Sequence, residues 1–507
     1  MLIGEIYATY CVSLSTENGK CLAVWKIFRI FVPVMNSRLS ILLLGVAICG
    51  LAACTSIEDN TVGPVPIGEM CLYVNGEHYD IALPAKEAVD LRTLNTEFDA
   101  DIRVENADAF ENITVSPFTG IARDKQIEIA YTIGGQSGIV RLNTLHSGIP
   151  DIVAEGKGVI PGDFYLSFIY QRLIMKYDND GRILYYRYDP TLDVGTFKEL
   201  GYWDFKKHVF DGKTYYSYHA PDDNFADRAF TGYDPGMRVL LDDHYVPVDT
   251  IHALPSRDGY LKGGEPLDGH DFYFFSPTHW IASASYVERE VDGKKLAVGY
   301  LQEVKDGEVV FDWWSTDHPE MADWGSPVFD TSYDYVHFNS VQVLSDDNWL
   351  CSFRALSSLL KIDHETGDIL WRINGEALAD SLSFYGQHYA TLHEDNTLTL
   401  FDNGNGHDPQ LTRVLRLNVD PETGDVSGGG NMLNPGGNYF TQACGAVQLF
   451  SGDRFTVGWG WSSEAGNNTR LVSEHDAEGH VVFALQRSAA DCMPNSVNPS
   501  YRCVKYE

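Results

Sequence analysis

Side chains that can bind an anion and transfer a group or a proton lie close together in one stretch of the chain. The run 335–340 contains His337 and Asn339, and the strand-like run that follows it ends at Arg354. An imidazole can act as a nucleophile or as a general acid and base, and a guanidinium forms charge-assisted hydrogen bonds with anions. We therefore expect a site for an anionic group where one strand begins and the next one ends.

A turn motif repeats along the chain from residue 155 onward. It consists of an Asp or Glu, a Gly, and then apolar residues that end in an aromatic one, which is the chemistry of a tight hairpin turn. Consecutive copies are similarly spaced, except for a first gap about twice as long as the others, which holds a degenerate copy at 241–246. The turn glycines are Gly181, Gly307, Gly367, Gly424 and Gly479.

These six units predict an all-β fold, a six-bladed β-propeller over residues 151–507. Four-stranded units of this length, in a number of roughly four to eight, can close into a ring that leaves only short sheet edges. The alternative is a two-sheet β-structure in which the spacing is a coincidence. Residues 67–150 alternate apolar and polar positions in short runs, which predicts a small N-terminal β-sandwich.

Histidines follow the repeat in phase. The first His at a strand start after successive turns is His208, then His270, His337 and His388. Because the same phase in successive blades of a propeller points to the same place, we expect the imidazoles to converge on the central channel. His208 differs from the others, because two lysines precede it and favour a solvated position.

Converging imidazoles beside an arginine are compatible with three kinds of chemistry. Three His side chains could bind zinc or copper, although Arg354 and Asn339 beside them favour an anion over a metal. Passive anion binding is the second. The third is group transfer, in which one His is the nucleophile, Arg354 and Asn339 hold the charged group, and another His is the acid and base.

Several motifs around these residues resemble the bacterial, PAPS-independent aryl sulfotransferases. The resemblance covers most of residues 150–507. The motifs are the runs 334–340, 352–354, 361–363, 366–371, 386–388, 400–404, 458–460 and 501–502. The turn run 366–371 alone is not specific, because redox propellers of the quinoprotein type carry similar turns.

The resemblance implies a six-bladed propeller with a small N-terminal β-domain that transfers a sulfuryl group from an aryl sulfate donor to a phenolic acceptor. It implies that His388 is the nucleophile and that His337, Asn339, Arg354 and His270 complete the catalytic site. A neutral His388 nitrogen that displaces a phenolate would form a sulfo-histidine, so we expect ping-pong kinetics with no metal, nucleotide or other cofactor. The expected partners are small aryl sulfates and phenols.

The chain departs from the family pattern at Tyr389, where an Asp or Thr is more usual, and this departure bears on the acceptor preference and the activity. The alternative function is that of a non-catalytic surface propeller that binds anionic or sulfated glycans.

Net charge argues against one class of partner: with 71 acidic and 37 basic side chains the chain carries a formal charge of -34. Such a surface repels a phosphate backbone, so nucleic acid is not expected as a partner.

The N-terminus resembles an export signal. Residues 35–54 form a short basic start, an apolar run and a lipobox that ends at Cys54, so we expect a lipoprotein signal with Cys54 as the lipidated residue. Residues 1–34 have no place in this interpretation and are expected to be a non-native extension. Residues 55–66 are a polar tether. The protein is then expected at the bacterial outer membrane, on its periplasmic side or at the cell surface, attached to the membrane only by its lipid.

Exported proteins encounter an oxidising compartment, in which disulfides persist. Cys492 and Cys503, near the C-terminus, are predicted to form one. No Cys or His spacing indicates a zinc site. The oligomeric state stays open, with a homodimer as one option.

Overall fold

The computed structural model describes residues 4–15, 21–32, 67–74, 77–91, 101–116, 126–146, 148–189, 201–228, 232–284, 287–291, 293–433, 439–461, 470–488 and 500–507. The predicted lipidation site Cys54 and the predicted disulfide partner Cys492 lie outside the described residues, so both stay predictions. Within these ranges, no helix is long and apolar enough to cross a membrane.

Two strands near the N-terminus belong to a separate unit. β1 (Gly4–Ser15) and β2 (Cys21–Val32) pair antiparallel. They fall in the segment that is predicted to be a non-native extension, and their pairing does not test that prediction.

Residues 68–143 form two small sheets whose inner faces share one apolar core. Burial alternates along one central strand, where Ile127, Ile129 and Tyr131 are buried and the residues between them are exposed, as in sheets with one solvated face. The strands are β3 (Gly68–Val74), β4 (Glu77–Leu83), β5 (Val89–Asp90), β6 (Ile102–Val104), β7 (Asn112–Val115), β8 (Gln126–Ile133) and β9 (Gln136–Asn143), in the orders β4-β3-β6 and β5-β9-β8-β7.

After residue 150 the described strands form groups of four antiparallel strands, most of them consecutive in sequence. The second and third groups are continuous with each other through a short pairing of one strand from each. A hairpin of β20 (Val287–Val291) and β21 (Lys294–Val298) forms a sheet of its own and is inserted in sequence between the strands of the third group.

The first group contains β11 (Asp163–Phe168), β12 (Arg172–Tyr177), β13 (Ile183–Asp189) and β36 (Ser500–Tyr506). The second contains β14 (Trp203–Phe210), β15 (Lys213–Pro221), β16 (Pro235–Leu241) and β17 (Pro247–Ile251), and the third contains β18 (Leu267–Ser276), β19 (His279–Ala284), β22 (Tyr300–Lys305) and β23 (Glu308–Trp314). The fourth contains β24 (Phe338–Val343), β25 (Trp349–Phe353), β26 (Ser358–Ile362) and β27 (Ile369–Asn374). The fifth contains β28 (His388–Leu392), β29 (Thr397–Asp402), β30 (Arg413–Val419) and β31 (Val426–Asn431). The sixth contains β32 (Ala446–Leu449), β33 (Phe455–Gly458), β34 (Arg470–His475) and β35 (Val481–Arg487), with β10 (Ile152–Gly156) as an additional edge strand. Short 3₁₀ turns at Ala107–Ala109, Asp223–Arg228, Ser315–Asp317, Pro319–Asp323, Gly375–Ala377 and Ser451–Asp453 join some of these strands.

The predicted turns are confirmed as hairpins between the two outer strands of a group. Gly181 joins β12 to β13, and Gly307, Gly367, Gly424 and Gly479 occupy the same place in later groups. All five glycines have φ between 75° and 82°, a left-handed conformation that glycine adopts without steric cost. The degenerate copy at 241–246 turns from β16 into β17.

The inner strands of successive groups neighbour one another in a cycle. β14 contacts β18, β18 contacts β24, β24 contacts β28, β28 contacts β32, and β32 contacts β36, which in turn contacts β14. The C-terminal strand β36 completes the first group by pairing with β11. The structure is thus all-β over the described residues. The first strand after residue 150, β10, lies in the sixth group, and the last strand, β36, lies in the first group.

A buried network of charges joins these inner strands. The guanidinium of Arg502 on β36 donates to Asp204 Oδ1 at 2.9 Å, to Asp271 Oδ1 at 3.1 Å and to the Asn339 carbonyl at 3.1 Å. Arg238 donates to the other oxygen of Asp204 at 3.0 Å. Burial opposes ionisation of Asp204, but Lys206 and the two arginines hold its pKa at about 2, so the carboxylate stays charged.

We predict that Arg502→Met lowers the free energy of unfolding by about 3–5 kcal/mol, because it leaves two buried carboxylates with fewer cationic partners. The control is Arg416→Met, which removes two ion pairs with the exposed Asp395 and Asp453 and should change stability by about 1 kcal/mol or less. Urea unfolding of both variants measures the difference. Equal losses in the two variants would contradict the assigned role of Arg502.

Candidate active site

Three of the in-phase histidines and Arg354 line one cavity of about 220 Å³. Its described lining comprises Trp203, Gly232, His270, His337, Arg354, His388, Asn405, Gln442, Ala443, Cys444 and Trp461. The cavity lies at the starts of the inner strands, where residues from several groups meet.

Irregular backbone brings these side chains together. The ladder of β18 shifts register between Leu267 and Phe272, and His270 lies in that interval. His337 immediately precedes β24 with a left-handed φ of 48°, and His388 is the first residue of β28, directly before another register shift. Bulges and left-handed residues are common beside functional sites, because they redirect side chains that a regular strand would point elsewhere.

His388 is buried and has a partner on each ring nitrogen. Its Nδ1 lies 2.7 Å from Asn403 Oδ1, and the backbone N–H of Cys444 donates to its Nε2 at 3.2 Å. Burial and then the positive charge of Arg354 lower the pKa of His388 well below its ordinary value. The ring is therefore neutral near pH 7, as a nucleophile must be.

His337 has a carboxylate as its partner. Its Nδ1 lies 2.5 Å from Asp334 Oδ2, and the other oxygen of Asp334 accepts the phenol proton of Tyr233 at 3.0 Å. Burial lowers the pKa of His337, while Asp334 acts in the opposite direction. Burial alone would raise the pKa of Asp334, but His337 and Tyr233 hold it below its ordinary value.

His270 is arranged in the same way. Its Nδ1 lies 2.8 Å from Asp268 Oδ1, and its ring packs edge to face on that of His337 with centroids 5.0 Å apart. Trp203 packs against His270 from another direction, at 5.5 Å between ring centroids. Two imidazoles that each hold a carboxylate on Nδ1 thus lie side by side in the cavity wall.

Arg354 supplies the positive charge of the cavity. One nitrogen donates to the Gln442 carbonyl at 3.2 Å, and the guanidinium stacks on Phe329 with its carbon 4.5 Å from the ring centroid. Its Nε is buried and has no hydrogen-bond partner among the described residues. Since buried donors are rarely left unpaired, this geometry is that of an anion-binding group.

Asn339, the amide predicted to hold the anion with Arg354, is not in the described lining of this cavity. It is fully buried outside the cavity lining, and its Nδ2 donates to the Gln387 carbonyl at 2.7 Å. In this arrangement it connects the strand after His337 to the residue before His388. Its Oδ1 has no partner among the described residues.

His208 and Tyr389 line a second cavity, of about 320 Å³, which also contains Lys206, Lys207 and Tyr506. His208 Nε2 lies 2.7 Å from Ser217 Oγ, so this histidine does not join the other three. The ring of Tyr389 lies under Arg502, 4.6 Å from its guanidinium carbon, and burial raises the pKa of its phenol to about 12. Although Tyr389 follows His388 in sequence, its side chain is not in the described lining of the His388 cavity.

The described clusters with metal-ligand spacing lie on exposed turns and not among the cavity histidines. They are Asp242, Asp243 and His244, and Asp476, Glu478 and His480. Within the cavity, the Nδ1 atoms of His270, His337 and His388 face Asp268, Asp334 and Asn403.

The sequence pattern missed four partners of these histidines: Asp268, Tyr233, Asn403 and the backbone of Cys444. Asp268 precedes His270 by two residues and Asn403 lies in the motif run 400–404, so an acceptor close in sequence or in a shared motif was the available signal. Tyr233 and Cys444 carry no such signal, because only the fold brings them to the site.

We predict that inorganic sulfate binds in this cavity and that Arg354→Met weakens its binding by about tenfold or more, as loss of charge-assisted hydrogen bonds requires. Isothermal titration at fixed ionic strength measures the affinity. Arg372→Met is the matched control, because Arg372 stacks on Trp324 and donates to Ser358 Oγ outside this cavity. Equal affinity in the wild type and the Arg354 variant would contradict the assignment.

Three solved structures to which this chain is similar share little sequence with it. A protein of unknown function from Bacteroides caccae is 11% identical, with a TM-score of 0.41 over 69% of this chain and 100% of that one. A streptogramin B lyase is 11% identical, with a TM-score of 0.34 over 69% of this chain and 96% of that one. Virginiamycin B lyase from Staphylococcus aureus is 11% identical, with a TM-score of 0.33 over 67% and 99% of the two chains. No curated protein sequence matches the chain.

A family model does match. The arylsulfotransferase (ASST) model covers residues 297–488, which include His337, Asn339, Arg354 and His388 but not His270. This match confirms the predicted resemblance of the chain to the aryl sulfotransferase family.

Proposed function

We propose that the protein moves a sulfuryl group from an aryl sulfate to a phenol through a covalent intermediate on His388. The family match supports aryl sulfotransferase activity in general. The observation that carries the specific mechanism is the cavity in which a neutral, buried His388 faces the guanidinium of Arg354 and two carboxylate-paired imidazoles.

In the first half of the reaction, the Nε2 lone pair of His388 attacks the sulfur of the aryl sulfate. An N–S bond forms as the S–O bond to the aryl group breaks, and the electron pair of that bond leaves on the phenolate oxygen. Arg354 stabilises the negative charge on the sulfuryl oxygens, and a preorganised donor of this kind stabilises a transition state by about 3–4 kcal/mol.

The leaving oxygen needs a proton, because simple phenols have pKa values of about 10. His337 or His270 supplies it from Nε2, while the carboxylate on Nδ1 stabilises the imidazolium before transfer. In the second half, the same ring takes the proton of the acceptor phenol as its oxygen attacks sulfur, and the N–S bond to His388 breaks. The net reaction exchanges one phenol for another, so no external oxidant or proton source is needed.

The wider predictions belong to the same proposal. Six groups of four strands and the cycle of inner-strand contacts support a six-bladed propeller for residues 151–507. The apolar run and lipobox that end at Cys54 support attachment by lipid at the outer membrane. The substrates are small aryl sulfates and phenols, and the acidic surface disfavours nucleic acid.

We predict that the wild type releases 4-nitrophenol from 4-nitrophenyl sulfate in the presence of phenol, and that His388→Ala lowers turnover by at least about a thousandfold, since it removes the nucleophile. The matched control is His208→Ala, which removes a histidine from the other cavity and should retain most activity. Initial rates at varied donor and acceptor concentrations should give parallel double-reciprocal lines. Mass spectrometry after donor alone should find the sulfuryl group on His388.

Two results would contradict the mechanism. A sequential rate pattern with no modified His388 would exclude the covalent intermediate. Binding of sulfated glycans by wild type, with no turnover of any aryl sulfate, would favour the non-catalytic surface propeller instead.

We also predict that the loss of activity on removing the general acid depends on the leaving group. His337→Gln should lose more activity with phenyl sulfate than with 4-nitrophenyl sulfate, because 4-nitrophenolate leaves without full protonation. His270→Gln, assayed in parallel, tests the alternative acid. If both variants lose the same factor with the two donors, neither ring protonates the leaving oxygen.

A further inference from the structure

The three cavity histidines differ in the partner that each has on Nδ1. His337 and His270 face the carboxylates of Asp334 and Asp268, whereas His388 faces the uncharged amide of Asn403. This difference does not follow from position along the strands, because all three residues lie at or near the start of an inner strand. It suggests that the amide has a task that a carboxylate could not perform.

The orientation of the Asn403 amide is fixed by its other contacts. Asn403 is fully buried, just after β29, and its Nδ2 donates to the carbonyls of Thr441 at 2.7 Å and of Cys444 at 3.0 Å. Carbonyl oxygens only accept hydrogen bonds, so the nitrogen of the amide must face them. Oδ1 consequently faces His388.

The same reasoning fixes the tautomer of His388. Its Nδ1 faces two atoms that only accept, Asn403 Oδ1 at 2.7 Å and the Gly386 carbonyl at 3.1 Å, so Nδ1 must carry the proton. In a neutral ring Nε2 is then the bare nitrogen. The N–H of Cys444, which donates to Nε2 at 3.2 Å, agrees with this assignment.

We infer that Asn403 is a positioning residue that holds His388 in the tautomer with an unprotonated Nε2 while adding no negative charge that would favour its imidazolium. An aspartate at this position would accept from Nδ1 equally well. It would also stabilise the protonated ring, which cannot attack sulfur. The amide therefore orients the ring without adding charge, whereas His270 and His337 each have a carboxylate on Nδ1. This inference rests on the proposed function for its kinetic consequence but not for the tautomer itself.

The kinetic test is Asn403→Asp. A carboxylate within hydrogen-bond distance raises the pKa of an imidazole by about one to three units. Since only the neutral ring attacks, a raised pKa removes activity at low pH, and the acid limb of the kcat/KM profile should move up by at least about one unit. Asn431→Asp is the matched control, because Asn431 lies on the outer strand β31 of the same group, where its Oδ1 accepts from the backbone N–H groups of Val414 and Leu433. Its profile should coincide with that of the wild type.

A direct test uses the wild-type protein and does not depend on turnover, so it remains available if Asn403→Asp does not fold. ¹⁵N NMR of histidine-labelled protein, with His388 assigned by difference from His388→Gln, reports which ring nitrogen is protonated. We expect a proton on Nδ1 and none on Nε2 at pH 7. A proton on Nε2, or a folded Asn403→Asp with an unchanged pH profile, would overturn the inference. Absence of sulfotransferase activity together with the Nδ1–H tautomer would reject the proposed function and leave the positioning role intact.

Discussion

The buried guanidinium of Arg502 is the group on which the arrangement of the inner strands depends. It lies on the last strand of the chain and hydrogen-bonds to Asp204, Asp271 and the Asn339 carbonyl, which belong to three other groups of strands. The phenol of its neighbour Tyr501 donates to the His270 carbonyl at 2.6 Å, and the backbone carbonyl of Tyr501 accepts from the N–H of Gly445 at 2.9 Å. The strand that completes the first sheet thus also fixes the backbone beside His270 and beside the Cys444 N–H that contacts His388. The candidate site is complete only when β36 has paired with β11.

The proposed roles of the cavity histidines depend on whether the group that contacts each ring is charged or uncharged. Burial lowers the pKa of both His388 and His337, so position in the cavity does not distinguish them. The positive charge of Arg354 lowers the pKa of both rings, but the carboxylate of Asp334 opposes the shift at His337, and the pKa of His388 is the one that falls well below its ordinary value. A pair of like groups whose environments separate their protonation states is the usual arrangement for one nucleophile and one acid.

The sequence predicted the histidine phase and the outer turns well, because both depend on local chemistry. A turn such as that at Gly367 needs a residue with positive φ, and His388 needs only to begin an inner strand. Asn339 shows the limit: its motif places it two residues after His337, but only the structure shows that its amide is used on the Gln387 carbonyl. Tyr389 shows the same limit. It lies in the interval between His388 and Thr391 where the register shifts, and its side chain lines the other cavity. His208 shared the phase and yet belongs to that cavity, because phase fixes the strand and not the depth along it.

Polar groups without described partners and left-handed backbone both occur in the wall of the cavity where the chemistry is proposed. Trp203 Nε1, Arg354 Nε, Asn405 Oδ1 and Trp461 Nε1 all belong to cavity-lining residues, are buried, and have no hydrogen-bond partner within the described part of the chain. A buried unpaired polar group costs about 1–3 kcal/mol, so folding would not favour such a set without another contribution to its retention. His337 and Cys444 add left-handed backbone at the same place, with φ of 48° and 65°. The Arg502 network and the apolar packing of the sheets stabilise this costly arrangement. An anionic oxygen would accept hydrogen bonds from the arginine and tryptophan donors, and a phenol hydroxyl would donate to Asn405 Oδ1, whereas an apolar ligand could do neither.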